Sequence, residues 1–169
     1  IPMAFAGLFA LSGAVGPILG QNLGAKRFDR LRQTMRDSLK FTLIYVSVAW
    51  FLLAISSHLI ARAFDAHGMA EDVIVFFCVF IAGSFLFNGS LFVANAAFNN
   101  LGYPLYSTVL NWGRATIGVI PFVYFGGLWF GARGVMAGYG LGVVGFGIAS
   151  VWLCFHVLKK IEHRTPPAL

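Results

Sequence analysis

The chain has 169 residues, of which 59% are apolar and only 11% charged, with a net charge of +6 at pH 7. A water-soluble domain of this length spreads charge over its whole surface, so this composition excludes an ordinary soluble fold and requires lipid as solvent. Nine of the twelve Lys and Arg residues lie in Lys26 to Lys40 or Lys159 to Arg164, each segment bordering an apolar tract; this is the pattern of membrane-flanking loops and excludes a nucleic-acid surface.

Helices of roughly 20 apolar residues cross a hydrocarbon core, and the tracts do not alternate in polarity as barrel strands do. The first predicted span covers residues 1–20 and contains Pro17, which favours a bend. It lacks the basic start of a cleavable signal peptide, and it begins at Ile1 inside an apolar stretch, so the expectation is a piece of a longer protein. Residues 26–40 follow as a basic connection. Phe28, Leu31, Met35 and Leu39 fall on one side and Arg32, Arg36 and Lys40 repeat every fourth residue, which predicts an amphipathic helix on the membrane surface. Such a segment either contacts anionic lipid, couples neighbouring spans, or is an ordinary positive-inside loop.

The second span is predicted at 41–63, and the connection after it is acidic, with Asp65, Glu71 and Asp72. The third span, 73–98, ends in a short uncharged turn with Gly102 and Pro104 as breakers. The fourth, 105–128, contains Arg114 and Pro121; the connection after it carries Arg133 alone. The fifth, 134–158, repeats Gly134, Gly138 and Gly142 at four-residue spacing, a pattern that lets helix backbones approach within one bundle or between protomers. A basic tail, 159–169, closes the chain. The alternation of basic and acidic connections predicts that the first loop, third loop and C-terminus are cytoplasmic, in a multi-pass plasma membrane protein.

Within the third span Ser84, Asn88, Asn95 and Asn99 share an arc of about 60° on an ideal helix. Such a stripe lines either a helix contact or a water-filled cavity, and Leu91 within it favours the contact. Thr108, Asn111 and Arg114 follow at three-residue spacing in the fourth span, and Arg114 either snorkels to the interface or serves function. The candidate substrate or cation pathway is thus Ser84, Asn88, Asn95, Asn111 and Arg114. No span contains Asp or Glu, no His has metal-ligand spacing to another His or Cys, and no catalytic set or phosphate loop occurs, so neither an enzyme nor a cofactor is expected. Cys78 and Cys154 lie inside apolar tracts and read as packing residues.

At Ser12-Gly13, Gly16-Pro17-Ile18, the run Gly20-Gln21-Asn22-Leu23-Gly24-Ala25 and Arg30, the chain resembles the multidrug and toxic-compound extrusion (MATE) family, near its DNA-damage-inducible and NorM-like bacterial members. The resemblance covers essentially the whole chain, as helices eight to twelve of a twelve-helix protein. It implies an all-α integral membrane fold, five spans making most of a C-terminal six-helix lobe, with an N-terminal lobe as partner beside the bilayer. It also implies secondary active export of small lipophilic or cationic compounds, driven by sodium or protons. Gly20, Gln21, Asn22, Gly24 and Arg30 would be a structural loop motif: the glycines permit a tight exit, and the two amides can bond carbonyls left open at a helix end. Several family members carry a carboxylate in the tenth helix where this chain has Asn88, which can offer oxygen to sodium but cannot exchange a proton. Two alternatives stand beside the exporter: a lipid-linked saccharide flippase of the same architecture, or a non-transporting assembly subunit.

Overall fold

The computed structural model describes the backbone of residues 2–164 and the side chains of residues 6–163. Ile1 and residues 165–169 of the predicted tail lie outside the described residues. α1 (Pro2–Gly24) runs through Pro17 without interruption and turns into α2 (Phe28–Ile55). After α3 (Ser57–Ala63) and a loop, α4 (Met69–Phe76), a π-helical turn (Phe77–Ile81), a 3-10 turn (Ala82–Ser84) and α5 (Phe85–Asn100) make one continuous crossing. α6 (Pro104–Gly113) leads through a second π-helical turn (Arg114–Gly118) into α7 (Ile120–Arg164), which folds back on itself at Gly131. Among the described residues three stretches are long and apolar enough to cross a membrane: Phe28–Ile55, Met69–Asn100 and Pro104–His163. The last contains the Gly131 reversal and crosses twice.

The predicted surface helix over 26–40 is not a separate element. From Phe28 onward it is the start of α2, whose 28 residues extend about 42 Å, some 10 Å more than a hydrocarbon core. No breaker separates the amphipathic turns from the apolar ones. Leu31 and Met35 are wholly buried against Leu19, Phe98, Cys154 and Leu158, so packing fixes these turns upright. The ion pair between Arg32 and Glu162 ties the same end of α2 to the last turns of α7.

Three connections reverse direction in the same way, with one residue at positive φ and a backbone bond reaching back five residues: Lys26 (φ 54°), Asp65 (φ 50°) and Gly102 (φ 84°). The closing bonds are Arg27 N–H to the Asn22 carbonyl, Ala66 to Ala61 and Tyr103 to Phe98. Only Gly102 is the glycine that this cap prefers. Gly20 and Gly24, read from the sequence as the exit glycines, stay inside the helix, and the Asn22 amide donates to Ile18 one turn back, away from the open end. The left-handed residue is Lys26.

Both wide turns have a cause in sequence or packing. Pro121 cannot donate to the Ile117 carbonyl, and its ring crowds that turn, which loosens into the π segment Arg114–Gly118. In the third crossing the indole of Trp50 inserts instead, its Nε1 donating to the Val79 carbonyl at 2.8 Å.

The glycine repeat joins the two arms of α7 and the turn before them. A Cβ at Gly134 would strike the Gly126 carbonyl, at Gly138 the Phe122 carbonyl and at Gly142 the Gly118 carbonyl. Successive turns of an antiparallel pair therefore touch backbone to backbone within one chain. Outside this packed interior the surface is apolar: Phe51, Leu59, Trp112, Ile117, Trp129 and Trp152 are all more than 60% exposed, as lipid-facing side chains are.

Candidate functional site

The stripe on the third crossing divides into two environments. Ser84 is buried, donates to the Ile81 carbonyl at 2.7 Å and lies against Gly140. Asn88, also buried, donates to the phenolic oxygen of Tyr139 on the second arm of α7. Asn95 accepts from the Ser107 hydroxyl of α6 at 2.9 Å. The Asn88 and Asn95 bonds join different helices, while that of Ser84 stays within its own crossing; Leu91 is buried in the core. Neither partner stands out in the sequence: Tyr139 lies in an apolar, glycine-rich run, and Ser107 falls one residue off the spacing of Thr108, Asn111 and Arg114.

Beyond Asn88 the stripe opens. Phe9, Ser12, Gly13, Gly16 and Pro17 of α1 and Phe92, Asn95, Asn99 and Asn100 of α5 border a groove of about 400 Å³. Its floor is aromatic, with the Phe9 and Phe92 rings 5.0 Å apart, and its rim is amide. Asn99 is exposed there, while the Asn100 amide donates to Ala96 and covers Gly16, where any side chain would collide with it. An aromatic floor under amide oxygens can hold a flat lipophilic cation through ring faces and carbonyl acceptors.

Asn111 and Arg114 are not part of this groove. The Asn111 amide donates to the Ser107 carbonyl one turn back. Arg114 opens the π turn, and its Nε is buried without a hydrogen-bond partner among the described residues. The Asn95–Ser107 bond sets the register of antiparallel α5 and α6, which brings Arg114 to about the depth of Asn88. Gly20, Gln21, Asn22 and Gly24 lie in the last turns of α1, and Arg30 is exposed on the first turn of α2; none reaches the groove. Among the described residues no group of three His, Cys, Asp or Glu side chains is placed to hold a metal ion.

Residues 1–125 match the family model described as MatE. The chain belongs to the MatE family. An uncharacterized 21 kDa protein of Pseudomonas savastanoi, named for the iaaL 5' region, is 36% identical over 98% of this chain and 55% of that protein. A protein of Shewanella oneidensis named as an FAD transporter is 24% identical over 96% of this chain and 36% of its own length. The MatE fold is evident in solved structures as well: the Vibrio cholerae MATE transporter VcmN in its bent form superposes with a TM-score of 0.86 at 20% identity, over 95% of this chain and 36% of that one. A point mutant of the same transporter gives 0.86 at 19% identity. The chain therefore spans about half the length of the first relative and about a third of the others. Its described residues form an all-helical membrane lobe.

Proposed function

We propose that this chain is the C-terminal lobe of a secondary active antiporter that exports drugs, other xenobiotics or metabolites in exchange for sodium or protons, working with an N-terminal lobe across a central cleft. The observation that carries this reading is the open groove between α1 and α5, with the Phe9–Phe92 floor and the Asn95 and Asn99 rim. Aromatic and amide side chains of the two helices border it together. Alternating access needs such a face between two packed halves. The apolar stretches of the crossings, residues 41–63, 73–98, 105–128 and 134–158, contain no carboxylate, and the Asn88 amide is already engaged with Tyr139, so in this reading proton coupling belongs to the other lobe. The basic connections support a reading in which the Lys26 and Lys159 end faces the cytoplasm, in a bacterial inner membrane.

A second reading keeps the transporter and changes the cargo to an anionic metabolite. The buried, unpartnered Nε of Arg114 favours it, as does the likeness to a protein named as an FAD transporter. The test is to express the full reading frame that encodes this chain in cells lacking their own efflux pumps and follow ethidium and flavin release. Ethidium release that needs a sodium or proton gradient supports the first reading and flavin release the second; with neither, export fails as the function.

A further inference from the structure

A second groove, of about 420 Å³, opens between α2, α5 and the second arm of α7, on a face of the bundle away from the α1–α5 groove. Leu39 and Leu43, Leu86, and Ile148, Val151 and Trp152 line it, and the Ser90 hydroxyl on its wall is already bonded to the Leu86 carbonyl. It is a slot for hydrocarbon. On α2, Arg32, Arg36, Leu39 and Leu43 recur at helical spacing on one face; on α7, Ile148, Trp152, Phe155, Lys159 and Glu162 do the same. The Arg32–Glu162 ion pair shows that these two faces converge at the basic end of the bundle. Arg36 and Lys159 therefore flank the mouth of the slot, one turn inward from that pair.

Their charge is not neutralised locally. Glu162 is held by Arg32, and Asp37 accepts both its bonds from Gln33, with Lys40 at 4.0 Å. Arg36 and Lys159 are exposed and have no ion-pair partner among the described residues. Beside them Trp152 stacks on His156 with ring centroids 5.6 Å apart, an amphipathic pair of the kind found at headgroup depth. An occupant that satisfies both parts must join a long apolar chain to an anion.

We propose that this groove binds an anionic phospholipid of the leaflet on the basic side, one acyl chain lying along Leu43, Leu86 and Ile148 and the headgroup phosphate held between Arg36 and Lys159. Each cation near the surface contributes by attraction to the phosphate, and the groove adds contact with the chain. The site rests on the membrane setting alone and does not depend on what the protein exports.

The test reconstitutes the full-length protein that contains this chain in phosphatidylcholine vesicles with a trace of spin-labelled phosphatidylglycerol or spin-labelled phosphatidylcholine and reads the motionally restricted fraction of each. The native chain should restrict phosphatidylglycerol preferentially, and Arg36→Gln with Lys159→Gln should lower that preference by roughly fivefold per cation. Arg27→Gln with Arg30→Gln, which removes two exposed basic residues off this face, should leave it unchanged. Arg36→Lys should retain it, with helix content by circular dichroism guarding against misfolding, and Ser90→Phe should abolish it by filling the slot while keeping both cations. Equal restriction of the two lipids by the native chain, the same loss from both charge pairs, or full preference in the Ser90→Phe variant would each overturn the proposal.

Discussion

The Trp50 indole reaches from α2 to the Val79 carbonyl on the neighbouring crossing, and the backbone widens where it is met. A π-helical turn leaves carbonyls poorly matched to their own helix, and in hydrocarbon water cannot satisfy them. Trp50→Phe keeps an aromatic ring at this position and deletes the donor. It should cost about 1 kcal/mol in detergent-titrated unfolding. A variant as stable as the parent would mean that the wide turn persists without the indole.

The glycine repeat of the last crossing gives a prediction with its own control. Gly138→Leu and Gly142→Leu force side chains into the Phe122 and Gly118 carbonyls and should destabilise by about 3 kcal/mol or more, or abolish folding. Gly145 lies on the same helix with open space where a side chain would begin, nothing standing within 4 Å of a Cβ there, so Gly145→Leu should fall within about 0.5 kcal/mol of the parent. Unfolding midpoints of the three variants decide it.

Lys26 occupies a left-handed position at the end of α1. Removing its Cβ relieves about 1 kcal/mol of backbone strain and removes no ion pair of the described residues. Lys26→Gly should raise the thermal midpoint, whereas Gly102→Ala, at the equivalent cap after α5, should lower it by a similar amount. A Lys26→Gly midpoint below that of the parent would mean that the charge matters more than the turn.

Arg32 and Glu162 join the basic ends of α2 and α7 while each remains about one-third exposed. Solvent screening limits such a pair to about 0.5–1 kcal/mol. Glu162→Lys should destabilise, and adding Arg32→Glu should restore most of the loss; a double-mutant cycle without coupling would show that the two helices meet there for other reasons.

These residues also show what could be read in advance. The crossings were legible because hydrocarbon demands long apolar helices, and the turn at Gly102 because glycine and Pro104 both act locally. The meaning of Gly134, Gly138 and Gly142 was legible as close approach, though not which helix would approach. Lys26 was not legible as the cap, since Gly20 and Gly24 stand close by and satisfy the same local rule, yet the helix continues through both. Nor was the upright start of α2: an amphipathic face packs equally well on a membrane surface or on a neighbouring helix. In the candidate site the polar stripe was visible from spacing, but its division between Tyr139, Ser107 and the open groove depends on contacts between distant residues.

The most direct measurement of the export account is transport by the full-length protein containing this lobe, in proteoliposomes, with Asn99→Leu set against Asn88→Leu. Asn99 faces the α1–α5 groove, whereas Asn88 bonds Tyr139 inside the lobe. The account predicts that Asn99→Leu lowers gradient-driven ethidium flux several-fold, about 1 kcal/mol or more at the transport step, with membrane abundance unchanged, while Asn88→Leu lowers abundance. Unaltered flux in Asn99→Leu would contradict the assignment of this groove to the substrate path.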